Sequence, residues 1–215
     1  SGGSSILIDT SADFRAQALK YKIKTIDAIL FTHAHADHLH GIDDIRAYQT
    51  KSSPPIKCFG PPAFCSDVKK RFSYIFLDKM PIGGGTPRIS LSAVSQNFEA
   101  AGVGFVPIPV VHGQAETYGY RFFNAAYIPD VKEIPRESFK KLEGLDVLII
   151  DALRARPHST HLCLNESIEI VRTLKPAKTY FTHIDHEIMH ERESESLAKS
   201  GLNIEIAYDG LEIWI

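Results

Sequence analysis

The sequence predicts a layered α/β fold around a mixed β-sheet core, and three observations lead there. Short apolar runs rich in strand-forming residues alternate with helix-patterned stretches along the whole chain. Strand-type runs follow one another directly in the middle, whereas strands alternate with helices at both ends. A length of 215 residues, 44% hydrophobic and 23% charged, suits a single domain over 1–215 with a sizeable core.

Taken in order, residues 5–9 read as a strand and 11–21 as a helix, with Thr10 and Asp13 at capping-box spacing. The opening Ser1-Gly2-Gly3-Ser4-Ser5 is given no structural weight. A strand over 26–31 runs into a histidine-rich turn, and a helix is expected over 37–49. A strand over 56–59 precedes Pro61-Pro62, which opens a helix running to about residue 76. Gly83-Gly84-Gly85 is loop punctuation, lacking the lysine and following helix of a phosphate-binding loop. Strands are expected at 89–94, 103–111, 117–123 and 125–128. The remainder alternates: helix 136–142, strand 147–150, helix 166–174, strand 179–181, helix 187–199, then strands 204–207 and 211–214.

A formal net charge of -2 gives no whole-molecule basic field, so a stable nucleic-acid partner is not expected. Small anionic substrates remain open, because bound metal ions can supply the missing positive charge. Three cysteines, Cys58, Cys65 and Cys163, form no paired framework, which suits a reducing cytoplasm. No apolar run is long enough to span a bilayer and no leader is visible, so no membrane association is expected.

The chemistry concentrates in Thr32-His33-Ala34-His35-Ala36-Asp37-His38, directly after an apolar strand. In an extended turn, residues two apart point the same way, so His33 and His35 can grip one metal ion. A helix starting near Asp37 turns Asp37 and His38 elsewhere, toward a second ion. Three further candidates each follow an apolar strand: His112, Asp130 and His183. Imidazole and carboxylate donors suit zinc, manganese or iron alike.

The H-x-H-x-D-H motif followed by His, Asp and His resembles the metallo-β-lactamase superfamily over essentially the whole chain. The resemblance implies a four-layer αββα sandwich and two divalent metal ions. It assigns His33, His35 and His112 to one ion, Asp37, His38 and His183 to the other, and Asp130 to both. Gly60-Pro61-Pro62, Thr117-Tyr118-Gly119-Tyr120, Thr182-His183-Ile184-Asp185-His186 and Asp209-Gly210-Leu211-Glu212-Ile213 carry a narrower likeness. They resemble the branch containing the phosphoribosyl cyclic phosphate diesterase, itself related to tRNase Z. In that branch a histidine like His161 sits at the active site. A histidine like His186 completes a structural zinc with an N-terminal cysteine cluster that this sequence does not contain, and a strand or two would precede Ser5.

The expected activity is therefore hydrolysis of a small phosphodiester, a cyclic ribose phosphate or a nucleotide, by a hydroxide bridging two metals. Asp37, Asp130 and His161 are the expected catalytic residues, with His161 as general acid. Arg154, Arg156 and His158 are candidates for a second substrate phosphate, with a solvated loop as the plain alternative. Asp151 reads as a carboxylate orienting a metal-ligating histidine, or as a polar strand end. His40 and His190 have no place in the pattern and read as exposed helix-surface residues. A thioester or lactone hydrolase of glyoxalase II type and a non-catalytic accessory module on the same fold are the alternatives. A homodimer fits the family likeness, with no sequence feature of its own to support it.

Overall fold

The computed structural model describes residues 3–50, 52–77 and 85–215. Gly83 and Gly84 of the expected glycine loop lie outside them. The chain divides into two compact units, Ser1–Gly104 and Phe105–Ile215, each with its own core.

The first unit runs β1 (Ile6–Ile8), α1 (Phe14–Lys20), β2 (Ala28–Leu30), α2 (Ala36–Leu39), β3 (Ile56–Gly60), α3 (Pro62–Arg71), β4 (Ile89–Ala93) and β5 (Phe98–Ala100). Its sheet has the order β1-β2-β3-β4, and every pairing is parallel. Strand β2 is wholly buried, as expected where a parallel sheet is covered on both faces. Phe14, Ile29, Phe31, Leu39, Ile42, Phe64 and Val68 share its core, and Phe31 stacks on Phe64 at 4.7 Å between ring centroids. Pro62 at the head of α3 has no N–H to leave unpaired, which is why Pro61-Pro62 opens this helix cleanly.

The second unit continues β6 (Val103–His112) with β7 (Ala115–Phe122), β8 (Ala125–Ile128), α4 (Arg136–Lys140), β9 (Val147–Asp151), α5 (Leu164–Leu174), β10 (Lys178–Thr182), α6 (His190–Ala198) and β11 (Ile204–Ile206). Its strands line up as β11-β10-β9-β8-β7-β6. The hairpin pairs β6·β7 and β7·β8 are antiparallel, and β8·β9, β9·β10 and β10·β11 are parallel. The parallel pairs set the C-terminal ends of β8, β9, β10 and β11 side by side. Pro107 and Pro109 donate no N–H to the β6 ladder, yet their carbonyls accept bonds from Lys141 Nζ at 2.9 Å and Ser138 Oγ at 2.5 Å. Ile108, Ile128, Leu148, Ile150, Val171, Phe181 and Leu197 fill the core.

The mixed-sheet α/β expectation therefore holds, with differences that have local causes. The expected capping box does not form: Asp13 takes the N-cap position of α1 without a side-chain cap, while the Thr10 hydroxyl donates to the Leu39 carbonyl at 3.2 Å and its N–H to that of His38 at 2.8 Å. The helix expected over 37–49 is two pieces, α2 and a 3-10 segment Ile42–Tyr48, broken at Gly41. A Cβ there would stand 2.1 Å from the Ser11 carbonyl oxygen, so the chain passes too close to Ser11 for any other residue. Strand β5 was not anticipated, being three residues long. Leu211–Trp214, expected as a strand, pairs with no neighbour among the described residues, and Trp214 is 91% exposed. The three cysteines are free and buried, and no helix among the described residues is long and apolar enough to cross a membrane.

Candidate functional site

Each unit carries a set of donor atoms at the ends of its strands. In the first, β2 delivers Phe31 and Thr32 buried, so His33 emerges from the core only 1% exposed. His35 is extended (φ -68°, ψ 155°) and caps α2 from outside, while Asp37 and His38 lie on the helix. The expected division between an extended pair and a helical pair is thus present. The rings of His33 and His35 meet edge-on at 4.4 Å, and those of His33 and His38 at 4.4 Å.

What fixes this turn was not singled out in the sequence. Asp9, just past β1, has a left-handed backbone (φ 62°) and a buried carboxylate. Its Oδ2 accepts from His38 Nδ1 at 2.7 Å and from Thr32 Oγ1 at 2.7 Å, and its Oδ1 from the Thr32 N–H at 2.8 Å. Burial raises the pKa of Asp9, and the bonds from His38 and Thr32 work against that rise. With a carboxylate on Nδ1, Nε2 is the nitrogen of His38 that could face a metal, a common arrangement around protein-bound metals. Arg71 adds a brace from α3, donating to the Ala34 carbonyl at 2.9 Å while holding Asp67 at 2.6 Å. The available signal was an acidic residue at the end of the strand neighbouring the motif strand.

In the second unit, His112 ends β6 and Asp130 follows β8 after a proline, both nearly inaccessible. His183 follows β10 in the left-handed region (φ 57°), a conformation costly for a side-chain-bearing residue and often retained at functional sites. His112 Nδ1 donates to the Thr160 carbonyl at 2.8 Å; since a carbonyl can only accept, Nε2 keeps the lone pair. That Nε2 lies 3.5 Å from Asp130 Oδ2, and His183 Nε2 lies 3.5 Å from Asp130 Oδ1. A buried carboxylate between two imidazoles, with no hydrophobic reason to be there, is a donor set for a divalent cation.

His161 joins this set. Asp130, His161 and His183 each bring one donor atom within 4.8 Å of the others, and the His161 and His183 rings stack at 4.8 Å. Its Nδ1 is bound by Asp151 Oδ2 at 2.8 Å, and the same oxygen accepts the Val131 N–H at 3.0 Å. Asp151 is therefore an orienting carboxylate, at the end of β9 and completely buried. Burial raises its pKa, opposed by its bonds to His161 and the Val131 N–H. Backbone bonds stitch the rim: Leu162 N–H to Val131, Leu153 N–H to Leu162, and Ala152 N–H to Thr182.

The remaining candidates stand further out. Arg156 grips Glu187 with Nε at 3.0 Å and with Nη2, and Arg154 donates to the carbonyls of Arg156 and Pro157 at 3.3 and 3.1 Å. His158 is half-buried, its pKa lowered by burial and by Arg154. His186 is exposed and belongs to none of the metal-capable groups among the described residues. His40 and His190 are exposed, as expected.

Comparison with known proteins supplies the context. Residues 4–184 match the model of the beta-lactamase superfamily domain. A crystal structure described as a new diphosphatase from the PhnP family superposes with a TM-score of 0.89 at 39% identity, covering 100% of this chain and 81% of that one. Human tRNase Z, short form, gives a TM-score of 0.70 at 17% identity over 100% of this chain and 90% of that chain, a likeness of fold. An octanoyltransferase of Porphyromonas gingivalis is 31% identical over 98% of this chain, which spans 42% of that protein.

Proposed function

Because this chain belongs to the beta-lactamase superfamily and has the fold of its metal-dependent hydrolases, we propose that it is a phosphodiesterase acting on a small substrate, a cyclic ribose phosphate or a nucleotide. The observation that carries this reading is the Asp151–His161 pair standing against Asp130 and His183. Phosphoryl transfer needs a proton delivered to the departing oxygen, and a carboxylate-held imidazole beside a metal-capable group is suited to deliver it. The description of the 39% identical neighbour as a diphosphatase supports phosphoryl chemistry over other esters.

The proposed metal ligands are His33, His35 and His112 for one divalent ion and Asp37, His38 and His183 for the other, with Asp130 shared. The donor chemistry fits, since Asp9 holds His38 and the Thr160 carbonyl holds His112 through Nδ1, which makes Nε2 the nitrogen each would offer a metal. Bound ions would polarise the phosphoryl oxygen and lower the pKa of an attacking water. The chain's own residues do the rest. Asp130 accepts a proton and orients the attacking group. His161 gives a proton from Nε2 to the leaving oxygen, and Asp151 holds its ring by Nδ1. Arg154, Arg156 and His158 are the proposed contacts for a second phosphate, for which Glu187 is a competitor.

One observation favours a second reading, an acyl or thioester hydrolase: the 31% identical relative is an octanoyltransferase. Only 42% of that protein is matched, so its acyl chemistry can reside in the rest. A substrate panel on metal-loaded protein separates the two. The diesterase reading requires cyclic ribose phosphates, nucleotide diesters or diphosphates to outrun acyl thioesters in kcat/KM. The reverse order sinks it.

A further inference from the structure

We propose that the turn after β11, Tyr208-Asp209-Gly210-Leu211, forms a subsite beside His183 that binds the nucleoside part of the substrate. The inference rests on the phosphodiesterase reading and narrows its substrate class to nucleoside phosphates.

The placement follows from the sheet. Parallel pairing of β10 and β11 sets their C-terminal ends next to each other, and the Ala207 N–H continues the ladder onto the Phe181 carbonyl at 2.8 Å. Ligands of open α/β sheets bind in the crevice beyond the carboxyl ends of the strands. Here that crevice is a cavity of about 330 Å³, lined by Thr182, His183 and Ile184 from one strand end and Ala207, Tyr208 and Asp209 from the other. A cavity of about 300 Å³ is at the lower end of those that hold small ligands.

The turn is built to hold its shape. The Leu211 N–H donates to the Tyr208 carbonyl at 3.0 Å, and Gly210 has φ 89°. A four-residue turn with a positive φ at its third position favours glycine there, which is what the sequence provides. The result is a hydrogen-bonded turn whose first two residues line the cavity. Tyr208 is 59% exposed, an aromatic face left accessible where a soluble domain gains nothing from exposing one. His190 meets its ring edge-on at 6.4 Å, an approach compatible with a base stacking on the ring face. Asp209, next in the chain, carries acceptors only when ionised, so it repels phosphate and favours a partner with neutral donors, such as a ribose diol. The subsite thus orders the substrate, with phosphate toward His183, sugar hydroxyls at Asp209 and base on Tyr208.

The test separates this from the reading it rests on, because nucleoside binding needs neither turnover nor a metal. Adenosine binding to the whole chain is measured by saturation-transfer NMR and calorimetry for wild type, Tyr208→Ala, Tyr208→Phe and Asp209→Asn, alongside KM for a nucleoside cyclic phosphate. Expected are a loss of about tenfold or more in adenosine affinity in Tyr208→Ala and retention in Tyr208→Phe. Asp209→Asn should lose preference for ribose over dideoxyribose. Adenosine binding lost in Tyr208→Ala with no phosphodiester cleaved by any variant supports the subsite and overturns the diesterase reading. Phosphodiester turnover with adenosine binding and KM unmoved by Tyr208→Ala overturns the subsite and leaves the diesterase standing. Equal loss in Tyr208→Phe and Tyr208→Ala also overturns it, since stacking survives removal of the hydroxyl.

Discussion

The roles proposed for His161 and Asp9 separate in experiment. His161, held through Nδ1 by Asp151, protonates a leaving oxygen in the proposed mechanism. The demand for that proton falls as the leaving group becomes more acidic. His161→Ala should lower kcat on an alkyl or nucleoside diester by about 10²–10⁴-fold and on a p-nitrophenyl ester much less. Equal losses on both, measured in one steady-state series, contradict the acid role. Asp9 orients His38 and reaches no substrate in this scheme. Asp9→Ala should weaken metal affinity by about 10–100-fold, read by competition with a chelating dye. Unchanged affinity would reduce Asp9 to a structural group.

Two elements depend on short-range devices that can be broken one at a time. Gly41 separates α2 from the following 3-10 turn where the backbone passes Ser11. Because the atom opposing a Cβ is a backbone carbonyl, Gly41→Ala should cost about 1–3 kcal/mol or more in chemical denaturation. Helix α5 is fastened at its start by Glu166, whose Oε2 accepts the Cys163 N–H at 2.8 Å while Lys132 holds Oε1 at 2.7 Å. Burial pushes the Glu166 pKa up, but these bonds outweigh it and the net shift is down from 4.5. A depressed folded pKa stabilises above the unfolded value and is lost as pH falls through the folded one. Glu166→Ala should therefore cost about 1 kcal/mol at neutral pH, and the gap to wild type should close on acidification below 4.5. A gap that widens in acid would contradict the assignment.

The devices also explain what the sequence disclosed. Strand ends were legible because β2, β6, β8 and β10 are short strand-forming runs closed at, or within three residues by, a histidine or aspartate. The motif's extended and helical halves were legible because spacing alone separates them. The break at Gly41 was not, since it depends on Ser11, thirty residues away. Nor was the engagement of Thr10, which spends its hydrogen bonds on α2 rather than on α1. The grip of Asp9 on His38 depends on β1 and β2 pairing in parallel, which no local pattern announces. Asp151 does end a strand, β9, and the histidine it holds is His161, which is not among the expected metal ligands.

At the scale of the whole molecule, donors come from both halves of the sequence, and the proposal requires them to serve one dinuclear centre. Metal binding and phosphoryl chemistry then stand or fall together. The direct test is hydrolysis of bis(p-nitrophenyl) phosphate by manganese- or zinc-loaded protein, with bound metal counted on the same sample. The account predicts two ions per chain, and turnover that disappears in Asp37→Ala together with part of the bound metal. Two bound ions without cleavage of any phosphodiester, or cleavage that survives complete metal removal, would contradict it.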